Sequence, residues 1–195
     1  MTPDYASLPA DLPVPEDDGA ARHLEGTIAP DVSLEATDGT RVSLARLTGR
    51  AVIYAYPRTG EPGQPNLVPE WDVIPGARGC TPQACDFRDH HAELIRRGVS
   101  QVHGLSTQTS AYQREVAARL HLPFSLLADP HGALTQAMRL PTFTAGGLTL
   151  LRRLTLVLDD GRVRQVFYPV FPPDRSAAQV IAWLDAGASS PERAD

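Results

Sequence analysis

The sequence predicts an α/β domain: a central mixed β-sheet flanked by helices, with a β-hairpin at its N-terminal end. Three observations carry that prediction. Ala51–Tyr56 (Ala-Val-Ile-Tyr-Ala-Tyr) is a nearly continuous apolar run between Arg50 and Pro57, the pattern of a strand buried on both faces. Two further apolar runs follow, each separated from the next by a stretch of helical periodicity, which implies crossover connections. Near the C-terminus, Arg153–Leu158 and Arg162–Phe167 flank Asp159-Asp160-Gly161, a turn signal that demands an antiparallel pair.

Taken in order, residues 1–25 carry Pro3, Pro9, Pro13 and Pro15 and read as an extended or disordered arm. Val32–Glu35 and Arg41–Leu44 alternate around Asp38-Gly39, a short hairpin, and Ala45–Gly49 suggests a brief helical turn. After the Ala51–Tyr56 strand, residues 60–76 hold four prolines and two further glycines besides Gly60, with a single Trp71; a loop this long in a compact domain is usually functional, and Trp71 suggests that part of it docks. A helix follows, with Ala84, Phe87, Leu94 and Ile95 apolar and Gly98 as its stop. Val99–Ser106 is a strand, Thr109–Leu120 a helix, Pro123–Ala128 a strand and Ala133–Met138 a short helix. The hairpin comes next, and Ser176 caps a last helix carrying Val180, Ile181, Trp183 and Leu184. The expected domain is 26–185, with 186–195 as a tail.

The bulk composition excludes several function classes. The 195 residues suffice for one domain with a real core, and 42% hydrophobic residues fit an ordinary globule. A net charge of −5 without a basic stripe argues against nucleic acid. No apolar run approaches the ~20 residues of a membrane span. Two cysteines make no disulfide scaffold and suit a reducing compartment. Met1–Tyr5 has neither basic nor apolar signal character, so a cytoplasmic location is expected.

Both cysteines lie in Pro75–Cys85 (Pro-Gly-Ala-Arg-Gly-Cys-Thr-Pro-Gln-Ala-Cys), a loop turning into a helix. Thr81 has the hydroxyl of an N-cap and Pro82 suits the first helical position. Cys80 therefore sits where free N–H groups and the helix dipole favour an anion, with Arg78 two residues away, and a thiolate is the reactive form of cysteine. Cys85, inside the helix, also fits as a small buried hydrophobe. Two thiols with four residues between them lack the short spacing of a metal site. In an intact helix their Cα atoms would stand ~8 to 9 Å apart. A disulfide tolerates at most ~7 Å, so a Cys80–Cys85 bond requires the first turn to unwind. A reactive cysteine opening the helix after a buried strand is the thioredoxin arrangement.

Tyr54-Ala55-Tyr56-Pro57-Arg58-Thr59, followed by Gly79-Cys80-Thr81-Pro82-Gln83-Ala84-Cys85-Asp86-Phe87-Arg88-Asp89, resembles the peroxiredoxins. Within them it is similar to the bacterioferritin comigratory protein (Q-type) group, with its Cys-Thr-x-x-x-Cys signature. Gly104–Thr107, Leu122–Asp129 and Arg153–Asp159 also have counterparts, so the likeness covers about residues 26 to 185. The resemblance implies a thioredoxin-like fold and a thiol peroxidase without cofactor or metal, a monomer or weak dimer. Cys80 would attack the peroxide and Cys85 would resolve the sulfenic acid as an intramolecular disulfide, recycled by thioredoxin or a similar dithiol. Arg153 matches the family's arginine, Pro57 its proline, and either Thr59 or Thr81 would supply the hydroxyl beside the peroxide; Arg78 would support the thiolate. The family's motif is interrupted here, since Ala77 and Val73 stand where its threonine and proline are expected, and residues 60–76 read as an insertion after Thr59. A thiol–disulfide oxidoreductase would carry Cys-x-x-Cys. A redox-sensing binding module would stop after one oxidation, whereas an enzyme turns over.

Overall fold

A computed structural model of the chain describes residues 8–188. The hairpin β1 (Ser33–Ala36) and β2 (Arg41–Ser43) is followed by a 3-10 turn at Leu44–Arg46 and by β3 (Arg50–Ala55). The helical stretch is split into α1 (Cys80–Asp89) and α2 (His91–Arg96). Then come β4 (Val99–Ser106), α3 (Ser110–Arg119), β5 (Leu126–Ala128) and α4 (Ala133–Met138). A second hairpin, β6 (Thr142–Ala145) and β7 (Leu148–Leu151), precedes β8 (Leu154–Asp159), β9 (Arg162–Phe167) and α5 (Ser176–Ala188).

Seven strands form one sheet in the order β2-β1-β5-β4-β3-β8-β9. Its centre, β5-β4-β3, is parallel, and its other pairings are antiparallel. β3 shows why the apolar run is continuous: Ala51, Ile53 and Ala55 face one core, and Val52 and Tyr54 face the other. The first core includes Leu44, Leu105, Leu134 and Leu156. The second includes Phe87, Leu94, Val116 and Val180, from α1, α2, α3 and α5. Ala21 and Leu24 are buried in the first core, and Gly26 donates to the Val163 carbonyl at 2.9 Å, so residues just before the hairpin lie on the sheet. The first residues of the expected arm, 1–7, and 189–195 of the expected tail lie outside the described residues. Among the described residues no helix is long and apolar enough to cross a membrane.

Outside the cysteine region, the structure departs from expectation at these places. The expected single helix through Ile95 breaks at His90, whose backbone leaves the helical well at φ −97°, ψ 3°. Pro123 and Phe124 lie ahead of β5, because proline cannot donate to a ladder. The β6–β7 hairpin was not anticipated; Gly146-Gly147, both at positive φ, make its turn. Ser176 does not cap the last helix: a 3-10 turn at Pro173–Arg175 runs into α5, and Ser176 is already helical. The cap comes from α1, where Asp86 Oδ2 accepts from Ala177 N at 2.6 Å.

Candidate active site

The helix that carries both cysteines begins two residues earlier than Thr81 and Pro82 suggest. Cys80 is its first residue, and Gly79 is the N-cap, at φ +104°. The first helical bond runs from Gln83 N to Gly79 O at 3.0 Å. Pro82 thus occupies the third helical position, where its missing N–H is equally harmless, because the first four N–H groups have no helical acceptor. Gly79 is required twice over: its φ disfavours any side chain, and a Cβ would run into Pro173 and crowd Leu8. Cys80 is only 4% exposed and belongs to the second core, with Tyr54, Tyr56, Phe87 and Val180. That core was invisible along the helix because it also draws on β3 and α5, far from Cys80 in sequence. Tyr54 stacks on Phe87, ring centroids 4.4 Å apart and 9° from parallel, which fixes α1 over the sheet.

Arg153 lies between β7 and β8 rather than on the strand, and is 3% exposed, so it is not one of a solvated surface pair. Its Nη2 donates to Cys80 Sγ at 3.3 Å and to the carbonyls of Gly76, Ala77 and Arg78 at 3.2, 3.3 and 3.1 Å. Its Nη1 donates to Gln83 Oε1. Gln83 Nε2 in turn donates to Ser176 Oγ at 3.3 Å, and Ser176 Oγ meets Thr155 Oγ1 at 3.0 Å. A buried polar chain from the sheet and from α5 therefore aims the guanidinium at the sulfur. The sulfur also lies 3.6 Å from the Ala77 carbonyl. Charge on Sγ is met by a cation and by the open end of a helix.

Above Cys80 lies a cavity of about 280 Å³. Cys80, Thr81 and Thr59 line it, together with Arg58, Tyr112 and residues from the 60–71 segment. Thr59 is buried, its N–H and hydroxyl both donating to Gln108 Oε1, at 2.9 and 3.0 Å. Both candidate threonines thus reach the cavity. Pro57 directly follows the strand and the residue Tyr56, but lies outside the lining; its carbonyl accepts from Ser106 Oγ at 3.1 Å. Arg78 lines the cavity, is buried, and pairs with Asp72 at 3.4 Å. Cys85 sits half-buried on α1, unbonded to Cys80. Burial pushes the Cys85 thiol up, with the nearby Arg88 opposing.

Sequence reasoning missed Gln83, Gln108 and Tyr112. Gln83 was within reach of it, being three residues after Cys80 and so on the same helix face. Gln108 and Tyr112 act across the fold, Tyr112 through a hydroxyl that donates to the Thr59 carbonyl at 3.0 Å, and no local pattern marks them. The 60–76 segment is seated by Trp71, which is buried with Ala77, Ala145 and Leu150 and faces the Phe143 ring at 6.3 Å. Its seat is the unanticipated hairpin, which Gly146-Gly147 between apolar stretches could have signalled.

A buried thiol opening a helix against the central strands of a mixed sheet, with a guanidinium on its sulfur, defines a thioredoxin-fold protein of thiol redox chemistry. The comparisons narrow this. The Redoxin family profile matches residues 24–181. Peroxiredoxin Q, chloroplastic, of Oryza sativa subsp. japonica is 31% identical over 164 residues, 83% of this chain and 67% of the relative. Peroxiredoxin bcp1 of Schizosaccharomyces pombe is 33% identical over 115 residues, 58% of this chain and 50% of the relative. Among solved structures, Xanthomonas campestris peroxiredoxin Q superposes with a TM-score of 0.64 at 26% identity, covering 92% of this chain and 98% of that one. Peroxidoxin BcpB from Mycobacterium tuberculosis superposes with the same score at 25% identity, covering 83% and 96%. The chain belongs to the Redoxin family and, within it, to the Q-type or bacterioferritin comigratory peroxiredoxins. It is a thiol-dependent peroxidase.

Proposed function

We propose that Cys80 is the peroxidatic and Cys85 the resolving cysteine of this peroxidase, and that hydrogen peroxide and organic hydroperoxides are its substrates. The observation that carries the reading is the Arg153 Nη2 contact of 3.3 Å with Cys80 Sγ at the helix start, beneath a cavity. The Cys80 thiolate attacks one peroxide oxygen; the S–O bond forms, the O–O bond breaks, and the alcohol or water leaves with a proton. Arg153 and the helix N-terminus stabilise the charge passing from sulfur to oxygen. Thr59 and Thr81 flank the place where the peroxide must sit, and Arg78 adds positive charge to the cavity wall. The Cys85 sulfur then attacks the sulfenic sulfur: the Cys80–Cys85 S–S bond forms, the S–O bond breaks, and the hydroxyl leaves as water with the proton of the Cys85 thiol. Both cysteines lie in α1, so this step needs the first helical turn to unwind. A dithiol of the thioredoxin kind reduces the bond by exchange.

No metal, cofactor, nucleic acid or membrane enters this scheme, and the enzyme acts as a monomer or weak dimer. We place it in the cytoplasm, where a reducing poise keeps both thiols free; several plant relatives are named chloroplastic. The test is peroxide consumption with thioredoxin and its reductase. Cys80→Ser is expected to abolish it, and Cys85→Ser to leave one stoichiometric turnover. Multiple turnovers by Cys80→Ser would overturn the assignment.

A further inference from the structure

Every polar group of Thr59 is held by a residue far away in the chain. Its N–H and its hydroxyl donate to Gln108 Oε1, and its carbonyl accepts from Gln108 Nε2 at 3.2 Å and from the Tyr112 hydroxyl at 3.0 Å. Gln108 lies outside the cavity lining and is buried. It is itself fixed at both backbone ends. Its N–H donates to Ser106 Oγ at 3.2 Å, and its carbonyl accepts from Gln113 Nε2 at 3.0 Å. The clamp is thus anchored on β4 and α3, neither of which carries a cysteine.

These bonds settle the direction of the Thr59 hydroxyl. A backbone N–H can only donate, so the Gln108 atom that meets Thr59 N is the amide oxygen. An amide oxygen can only accept, so the Thr59 hydroxyl, 3.0 Å from the same atom, must donate to it. The proton of Thr59 Oγ1 is therefore committed to Gln108, and the oxygen has only lone pairs left for the cavity that Thr59 lines. Thr81 lines the cavity too, but it belongs to the first turn of α1, which unwinds in the proposed cycle.

We infer that Gln108 is a positioning residue: it makes Thr59 Oγ1 a fixed acceptor for the O–H of the bound peroxide, which turns the protonated oxygen toward Cys80 Sγ. The thiolate attacks that oxygen, the S–O bond forms and the O–O bond breaks. The proton stays on the sulfenic oxygen, and the departing oxygen takes a proton from water. An acceptor already set in place needs no reorganisation when the peroxide arrives. The inference rests on Cys80 being the attacking thiol.

The test is a double-mutant cycle on the peroxide step, read by rapid-mixing tryptophan fluorescence with hydrogen peroxide. Thr59→Val and Gln108→Met are each expected to slow the step about tenfold, what one lost hydrogen bond commands, and the double variant should be no slower than either. Thr59→Ser keeps the hydroxyl and should stay within about threefold of wild type. Gln108→Glu keeps the volume and an acceptor for both Thr59 donors; it gives a second entry to the cycle, again without further loss in the Thr59→Val background. Thr81→Val combined with Gln108→Met should be additive. Alkylation of reduced Cys80 by iodoacetamide, located by peptide mass spectrometry, should keep its rate and its pH midpoint in every Thr59 and Gln108 variant, because the clamp does not touch the sulfur. Additive losses from Thr59→Val and Gln108→Met, a Thr59→Val rate equal to that of Thr59→Ser, or a parallel loss of Cys80 alkylation would overturn the role of Gln108 while leaving Cys80 in place. Consumption of hydrogen peroxide by Cys80→Ser would overturn the thiol reading and this inference with it.

Discussion

Arg153 holds two things at once through a single nitrogen: the sulfur of Cys80 and the carbonyls of residues 76–78. Burial makes this contact count, because a guanidinium excluded from water acts on nearby charge with less screening. Arg153→Gln keeps a polar group but loses the cation and the fork of donors. The peroxide step should slow by roughly two to three orders of magnitude, the range for removing a preorganised donor. Rapid-mixing tryptophan fluorescence reads that step directly, and a change under threefold would make Arg153 a structural residue only. Gln83 shares the arrangement, since it accepts from Arg153 and is tied to Ser176 behind.

At the scale of elements, we expect the 60–76 segment, together with the first turn of α1, to couple chemistry to conformation. Its leading end is pinned at Thr59, through Gln108 and Tyr112, and its trailing end by Arg153. In the proposed cycle, forming the Cys80–Cys85 disulfide would draw Cys80 out of the first turn and away from Arg153, freeing the trailing end. Trp71 N, Ile74 N and Ala77 N, which bond to the carbonyls of Val68, Trp71 and Ile74, should then exchange faster in the disulfide form. Hydrogen exchange on the reduced and disulfide forms checks this, and equal protection across residues 60 to 76 would refute the coupling. The prolines of the segment limit the entropy gained on release, which suits a piece that must seat again after each cycle.

Across the whole molecule, α1 and α5 are joined by a buried carboxylate. Asp86 accepts from Ala177 N, pairs with His90 Nδ1 at 3.0 Å, and is raised above its usual value chiefly by burial, with Asp174 adding to the effect. A raised acid favours the fold in its protonated form, so its contribution is fully present below the unfolded value of 3.8 and is lost as pH rises through the folded one. Wild-type stability should therefore fall relative to Asp86→Asn as pH climbs from about 4. Denaturant midpoints of the two proteins between pH 4 and 7 measure it; parallel curves would show that Asp86 titrates alike folded and unfolded.

The sequence by itself determined the central strand β3, because a strand buried on both faces must be apolar throughout, as Ala51–Ala55 is. It also marked Gly98 and the Asp160-Gly161 turn, where the backbone takes positive φ and glycine tolerates it. It set Cys80 at the mouth of a helix, through the local punctuation of Gly79 and Pro82. Only the tertiary structure decided what surrounds that sulfur. Arg153 stands 73 residues away in the chain from Cys80, and Trp71 is seated on a hairpin as distant. The cap of α5 comes from Asp86, 91 residues before the amide it bonds. Periodicity and turn chemistry are local and therefore written in the chain. Contacts between segments far apart in sequence leave no local pattern, and they exist only once the sheet has brought β3, α1 and β8 together.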